Sequence, residues 1–207
     1  MQNLQRNFFD FVITTGALCF GEFTLKSGRR SAYFFNAGLF NCGTSLQLLG
    51  EFYARIIVGR GIEFDMLFGP SYKGIPLVAA TAIALSGLYR RNIPFAFDRK
   101  EVKGHGEGGK LVGAPLHGKV LIIDDVITAG ISVGYSVELI REHQAECAGL
   151  LVALDREEPG IDSSQNAADE IRSRLQIPFY AIAGRSQLLR YMQEKPELRS
   201  HLPSMQA

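Results

Sequence analysis

The stretch Leu121-Ile122-Ile123-Asp124-Asp125-Val126-Ile127-Thr128-Ala129-Gly130 decides the fold predicted for this chain. The apolar residues 120–123, which begin one position before this stretch, predict a buried strand. The pattern over residues 132–144 predicts a helix shortly after it. Between these two elements lie adjacent carboxylates and a turn of small residues. Strand, acidic pair, turn and helix, in that order, predict a site for a sugar phosphate.

The chemistry of such a site follows from the residue types. An ionised carboxylate only accepts hydrogen bonds, so Asp124 and Asp125 suit the hydroxyl groups of a ribose diol. The main-chain N–H groups of Thr128, Ala129 and Gly130 lie at the predicted helix N-terminus, where free donors and the helix dipole stabilise a phosphate. Two other interpretations stay open from these residues alone. One is a helix cap, and the other is the Mg²⁺-holding acidic pair of a nucleotide hydrolase.

The composition narrows the class of protein. The 207 residues suffice for one sizeable core and predict a single domain. With 22 Lys and Arg against 21 Asp and Glu, the net charge of +1 gives no reason to expect a nucleic-acid partner. Cys19, Cys42 and Cys147 lack metal-binding spacing and are typical of free thiols in a reducing cytoplasm. The N-terminus lacks a signal-peptide core, and residues 75–88 are too short and too polar to span a membrane.

Strand and helix patterns alternate from residue 65 onward, which predicts an α/β fold with a central, mostly parallel sheet covered by helices on both faces. The predicted strands are residues 65–68, 93–97, 120–123, 149–154 and 179–182, and the predicted helices are residues 76–87, 132–144, 167–175 and 186–193. Ligands of such sheets bind beyond the carboxyl ends of the strands. The tail, residues 194–207, is polar and is expected to be loosely held.

Two segments are predicted to lie outside the sheet. An N-terminal hood of about residues 1–40 combines a helix over 3–17 with a hairpin over 20–36. Residues 98–115 are glycine-rich and charged, which predicts a loop, and its part 98–112 is expected to be a mobile flap that carries cations. A charged, glycine-rich run is also typical of a plain surface loop.

A second strand-to-helix turn, residues 68–76, is predicted at the same sheet edge. Its glycines, the following helix N-terminus and Lys73 suit an anion. Two patterns inside the flap only imitate nucleotide-binding motifs. Gly104-x-Gly106-x-x-Gly109 and the near P-loop that ends in Lys110 both fail, because neither connects a strand directly to a helix.

The segment around Asp124 and Asp125 resembles the motif with which type I phosphoribosyltransferases bind 5-phosphoribosyl 1-diphosphate (PRPP). The run 20–28, the residues Tyr33-Phe34-Phe35-Asn36 and the flap resemble the orotate-specific bacterial members of that family. The resemblance covers nearly the whole chain and weakens after about residue 157. It implies the type I phosphoribosyltransferase fold, and an enzyme of pyrimidine synthesis that makes orotidine 5′-monophosphate and pyrophosphate from orotate and PRPP.

The resemblance also implies the site residues. For PRPP these are Tyr72, Lys73, Arg99, Lys100, Lys103, His105, Asp124, Asp125, Val126, Ile127, Thr128, Ala129, Gly130, Ile131 and Ser132. For orotate they are Lys26, Phe34, Phe35, Thr128 and Arg156. The catalytic set is Lys73, Arg99, Lys103, His105, Asp124 and Asp125, which would act by positioning and electrostatic stabilisation.

The residue types fit these roles. Aromatic faces suit a flat pyrimidine, and a guanidinium fork suits a carboxylate, which orotate carries and uracil and adenine do not. On their own, Phe34 and Phe35 would fit a core equally well, and Arg156 would fit a solvated charge run.

The implied cofactor is Mg²⁺, held mostly by substrate and water oxygens and without a certain direct protein ligand. The implied partner is a second copy of the chain, in a homodimer whose flap completes the neighbouring site. Ile131 departs from the family pattern, which usually has a hydroxyl residue there, and Ser132 is the nearest replacement. Three other functions are weighed: a regulator of this fold without chemistry, a nucleotide hydrolase, and a phosphoribosyltransferase for another base.

Overall fold

Strands alternate with helices along most of the chain, as the sequence patterns predict. The computed structural model describes residues 3–25, 28–103, 109–127, 131–158 and 166–206, and at residues 100–103, 109, 131, 132 and 206 it describes the main chain alone. The strands are β1 (Leu18–Thr24), β2 (Arg30–Phe35), β3 (Met66–Gly69), β4 (Phe95–Lys103), β5 (Gly109–Gly113), β6 (Lys119–Val126), β7 (Glu146–Asp155) and β8 (Phe179–Gly184). The helices are α1 (Asn3–Thr14), α2 (Gly43–Gly59), α3 (Gly74–Tyr89), α4 (Ile131–Glu142), α5 (Ala167–Glu170), α6 (Arg185–Glu194) and α7 (Leu202–Gln206).

The central sheet has the strand order β5-β4-β3-β6-β7-β8 among the residues that the structure describes. Its strands pair in parallel from β4 through β8, and β5 alone in this order pairs antiparallel, with β4. Strand β6 lies in the middle, between β3 and β7. The α/β fold with a mostly parallel sheet, predicted from the sequence, is therefore confirmed.

Both faces of the sheet are buried, because side chains of a strand alternate between the two faces. Leu121 and Ile123 point into one core cluster, which includes residues of α1, α2, α3 and α6. Val120 and Ile122 point into the other cluster, which includes residues of α4 and α5. The continuous apolar run of β6 is thus the signature of a strand covered on both sides.

The residues of the predicted hood form α1 and the antiparallel ribbon of β1 and β2, whose register runs from Leu18 opposite Phe35 to Thr24 opposite Arg30. The expectation that the tail is loosely held is wrong. Met205 is 1% exposed, His201 stacks on Phe20 of the hood at 5.2 Å, and the Arg185 guanidinium donates to the Met205 carbonyl. Aromatic and main-chain contacts of this kind are not visible in a polar composition.

The prediction of a loop over residues 98–115 is also wrong. Strand β4 continues to Lys103, and β5 pairs back onto it with Asp98 opposite Leu111. The roots of the flap therefore form a β-ribbon. Main-chain hydrogen bonds hold such a ribbon, so its charged side chains do not reveal it. Residues 104–108 at its tip lie outside the described residues.

Helix α2 was not predicted at all. Its buried residues Leu49, Phe52, Tyr53, Ile56 and Ile57 recur every three or four positions, which is the pattern of one helix face. It packs on α3 at very close range. A Cβ atom built on Gly50 would lie 2.5 Å from the main-chain oxygen of Ala80, so only glycine fits there. Within the described part of the chain, none of the helices has the length and apolarity that a bilayer crossing requires.

The contact between Gly50 and Ala80 predicts an unusual response to alanine. Gly→Ala inside a helix ordinarily stabilises by about 1 kcal/mol, but here the added methyl group must push α3 away. Gly50→Ala should therefore lower the free energy of unfolding in urea, by about 1–3 kcal/mol, as overpacking does. Gly59→Ala is the matched control, because a Cβ atom there meets nothing within 4 Å. An unchanged or raised stability of Gly50→Ala would show that the two helices can separate freely.

Candidate active site

Charged side chains lie at or just after the carboxyl ends of three neighbouring strands, at one edge of the sheet. Lys73 follows β3, Asp124 and Asp125 lie near the end of β6, and Arg156 comes directly after β7. Because β3, β6 and β7 are parallel neighbours, their carboxyl ends meet at the same edge. The sequence motifs that were predicted to share a site are thus brought together by the topology.

The acidic pair is held by a dense set of hydrogen bonds. The Asp124 carboxylate accepts from the N–H of Asp125 at 2.9 Å, and the Asp125 carboxylate accepts from the N–H of Val126 at 2.8 Å. The buried Tyr53 hydroxyl of α2 donates to the main-chain oxygen of Asp124 at 2.7 Å. The Lys73 ammonium binds the other oxygen of Asp125 at 2.7 Å. The pair is therefore oriented by main-chain donors of β6 itself and by two side chains from outside it, Tyr53 and Lys73.

The Asp124 carboxyl group ionises less readily than an ordinary aspartate. Burial and the neighbouring charge of Asp125 together raise its pKa to about 7, while Lys73 opposes the shift. Burial also raises the pKa of Tyr53 well above its ordinary value, so its hydroxyl stays a donor. Asp124 can therefore gain or lose a proton near neutral pH. A ligand with several hydroxyl groups would bind to it in that pH range.

The loop after β3 is tied down at its root. The Asp98 carboxylate of β4 is 6% exposed and accepts from the N–H of Ser71 at 2.5 Å. A Cβ atom on Gly69 would lie 2.3 Å from the main-chain oxygen of Gly74, so the turn into α3 closes only with glycine. Tyr72 is 64% exposed beside Lys73. The loop thus presents an aromatic ring and an ammonium group from a rigid base.

Arg156 connects the sheet edge to the hood. Its guanidinium donates to the Ser31 hydroxyl of β2 at 2.8 Å and lies 4.3 Å above the Tyr33 ring. Phe34 points to the other side of β2, because side chains alternate along a strand; it stacks on Phe23 at 5.5 Å. Phe35 is buried in the hood core, so Phe34 rather than Phe35 presents a ring face to the surface.

The remaining predicted residues fall into three groups. Val126 ends β6, Ile127 is buried in the core beyond it, and Arg99 is half-buried in β4. Only the main chain is described for Lys100, Lys103, Ile131 and Ser132. The predictions for Lys26, His105, Thr128, Ala129 and Gly130 lie outside the described residues.

Sequence reasoning missed four residues that support the site: Ser31, Tyr53, Asp98 and Glu158. Tyr53 belongs to the helix that was not predicted. The sequence places Asp98 in a charged, glycine-rich segment and Glu158 in a charge run. The partners of Ser31, Tyr53 and Asp98 are distant in sequence, by 125, 71 and 27 residues, so no local pattern reveals them. The partner of Glu158 is only two residues away, but a run of four charged residues does not show which of them pair.

Comparison with known proteins gives one consistent family. The family described as "Phosphoribosyl transferase domain" matches residues 41–172. The orotate phosphoribosyltransferase of Methylococcus capsulatus is 58% identical over 96% of this chain and 93% of its own, and that of Stutzerimonas stutzeri is 52% identical over 100% of this chain and 97% of its own. A crystal structure of orotate phosphoribosyltransferase from Francisella tularensis superposes with a TM-score of 0.86 at 41% identity, covering 97% of this chain and 96% of that one.

The coupling within the acidic pair predicts how Asp124 titrates. Asp125→Asn removes a neighbouring negative charge and frees Lys73, so the pKa of Asp124 should fall below its value of about 7. Carbon-13 NMR of the labelled carboxyl groups measures this directly. Asp169→Asn, on exposed α5, is the control and should leave the titration unchanged.

The same shift has a consequence for stability. The folded-state pKa of Asp124 is raised above 3.8, so its stabilising contribution is present at lower pH and is lost as the pH rises toward about 7. In Asp125→Asn this loss should be smaller. If the Asp124 pKa stays near 7 in the variant, burial alone accounts for the shift and the coupling is refuted.

Proposed function

The chain belongs to the phosphoribosyltransferase family, and from this membership we infer that it is an enzyme that transfers the phosphoribosyl group of PRPP to orotate. The products are orotidine 5′-monophosphate and pyrophosphate, in pyrimidine synthesis. The observation that carries this inference is the meeting of the acidic pair, Lys73 and Arg156 at one sheet edge. That edge offers acceptors for a ribose, a cation for a diphosphate and a guanidinium for a carboxylate.

We propose that Asp124 and Asp125 hold the ribose hydroxyls, since both are acceptors at the end of a buried strand. The turn from Thr128 to Ser132 would hold the 5′-phosphate, because α4 begins at Ile131 and its first N–H groups are free donors. Val126 and Ile127 would shape the wall between these two subsites. Ile131 brings no hydroxyl group to the phosphate, so Ser132 and main-chain donors would have to supply the bonds.

Pyrophosphate needs cations from two directions. Lys73 would approach from the loop after β3, with Tyr72 beside it. The flap would supply Arg99, Lys100, Lys103 and His105. Lys73 binds Asp125 at 2.7 Å, and an incoming diphosphate would compete for the same ammonium.

The reaction needs no nucleophilic side chain. As the bond between ribose C1 and the pyrophosphate oxygen breaks, the bond from orotate N1 to C1 forms and the N1 proton is lost. Charge that develops on the ribose ring would be stabilised by the nearby carboxylates, as in glycoside cleavage. The cations stabilise the leaving pyrophosphate. Closure of the flap would keep water away from the reacting carbon.

We propose that orotate lies between the hood and β7. Arg156 would bind its carboxylate, and Lys26, Phe34, Phe35 and Thr128 are the further predicted contacts. Burial of Phe35 limits it to a supporting role or to main-chain contacts. Arg156 distinguishes orotate from uracil and adenine, because only orotate offers a carboxylate to a guanidinium fork.

Mg²⁺ fits this site as an ion that binds together with the substrate. Among the residues that the structure describes, no group of three or more His, Cys, Asp or Glu side chains is placed to hold a metal ion. Mg²⁺ commonly binds through one or two carboxylates, water and substrate phosphates. We propose that Asp124 and Asp125 are the carboxylates next to it, and that when bound it neutralises charge on the pyrophosphate.

We also propose a homodimer in which the flap of each chain completes the neighbouring site. Helix α3 contains no charged residue, and a helix that is apolar all round is normally buried. Yet Ile83 is 70% and Leu88 is 48% exposed beside a groove of about 430 Å³ between α2 and α3. A second copy offers the same apolar face and would cover it around a two-fold axis.

A cytoplasmic location is a further proposal. Cys19, Cys42 and Cys147 form no disulfide, and Cys42 is exposed. Exposed thiols persist in reducing compartments.

The proposed activity predicts a simple optical assay. Orotate absorbance should fall when the protein is mixed with orotate, PRPP and Mg²⁺, and pyrophosphate should appear in equal amount. Uracil and adenine should give no product. Binding of PRPP without turnover would identify a regulator, and hydrolysis of a nucleotide in place of transfer would identify a hydrolase.

The proposed dimer predicts the effect of a charge on α3. Ile83→Asp should give a folded monomer by light scattering, because two negative charges would face each other across the two-fold axis. Transfer activity should fall strongly, since each flap would lose the site that it completes. Glu63→Gln, a change at an 86% exposed side chain, is the control for a charge change elsewhere. A monomeric variant with full activity would refute the shared flap.

A further inference from the structure

The fork of Arg156 is already occupied by a carboxylate of the same chain. Its Nε donates to one oxygen of Glu158 at 3.0 Å, and its Nη2 donates to the other oxygen at 2.9 Å. This is the paired, planar geometry in which guanidinium groups bind carboxylates. The group proposed to bind orotate is therefore engaged by an internal carboxylate.

Burial explains why such a partner is present. The Arg156 side chain is only 5% exposed, and a buried charge without a partner is strongly destabilising. A guanidinium kept free for a substrate would carry that cost whenever the site is empty. Glu158 removes the cost with the same chemical group that orotate would bring.

Other contacts keep the guanidinium in place without Glu158. The Ser31 hydroxyl accepts from Nη2 at 2.8 Å and donates to the Tyr33 main-chain oxygen at 2.7 Å. The guanidinium carbon lies over the Tyr33 ring, 4.3 Å from its centroid. Hydroxyl and ring together fix the plane of the fork, so Glu158 can leave while Arg156 stays.

Glu158 has a second cation within reach. Its side chain is 22% exposed, and the Arg29 guanidinium of the hood lies 3.6 Å from its Oε2 atom. A small rotation toward Arg29 would keep it paired with a cation near the surface. The exchange of one carboxylate for another then leaves the charge pairing at Arg156 unchanged.

We propose that Glu158 is a positioning residue that takes the place of the substrate carboxylate at Arg156, and that orotate displaces it toward Arg29. This inference rests on orotate being the substrate. An uncharged pyrimidine cannot displace Glu158, so it would meet an Arg156 that is already satisfied. The proposal makes substrate entry a competition between two carboxylates for one fork.

The test is Glu158→Gln, measured as the orotate KM at saturating PRPP and as the orotate Kd by calorimetry. A neutral amide competes poorly for a guanidinium, so the orotate KM and Kd should both fall roughly tenfold. This factor corresponds to the free energy of one charged hydrogen bond, which the side chain at position 158 would no longer make. The PRPP KM should not change. Glu63→Gln is the matched control for the same chemical change on an 86% exposed side chain.

Arg29→Gln tests the exit route. It removes the second cation from Glu158, so displacement should become harder and the orotate KM should rise. In the Glu158→Gln background the same substitution should have little effect, which a double-mutant cycle measures as coupling. If Glu158→Gln fails to fold, Glu158→Asp shortens the carboxylate by one methylene group and should lower the orotate KM less.

Two results would overturn the proposal. A raised orotate KM in Glu158→Gln would mean that Glu158 orients Arg156 for the substrate, and an unchanged KM would mean that it does not compete. Both differ from failure of the proposed function, in which the wild-type protein itself would neither bind nor consume orotate.

Discussion

Two adjacent carboxylates, the half-buried Asp124 and the buried Asp125, lie at the end of a central strand, and the rest of the site is arranged around that electrostatic constraint. Burial and the charge of Asp125 both raise the pKa of Asp124. The chain compensates with Lys73 from the next strand, with main-chain N–H groups of β6 and with the Tyr53 hydroxyl on the Asp124 carbonyl. Each compensating group comes from a different element, so the pair can exist only after the sheet and α2 have assembled.

The two sides of the site share one arrangement. Lys73 is paired with Asp125 on the side proposed for PRPP, and Arg156 is paired with Glu158 on the side proposed for orotate. Each proposed ligand would therefore exchange partners with an internal ion pair, and for Arg156 that pair avoids the cost of a buried charge without a partner. Asp98, the first residue of the flap, links the flap to the loop after β3, because its carboxylate accepts from the Ser71 N–H.

The sequence predicted the elements that carry a strong local pattern. The apolar run before Asp124 identified β6, and the alternation of strands and helices identified the parallel sheet. The helix around Tyr53 had an equally regular pattern and was overlooked. The ribbon at the base of the flap could not be read from side chains, because main-chain bonds hold it. The contacts of Asp98 and Tyr53 depend on tertiary neighbours, and no spacing rule encodes them.

The contacts that residues 185–205 make with and beside the hood have a consequence for biosynthesis. Tyr191 donates to Asp10 across 181 residues of sequence at 2.5 Å, and Arg185 holds the Met205 carbonyl beside the hood. A ribosome synthesises the hood residues well before residues 185–205. The nascent chain can therefore build β3 to β7 while the hood still lacks its support. Until residues 185–205 are made, the hood is the part most exposed to chaperones and proteases.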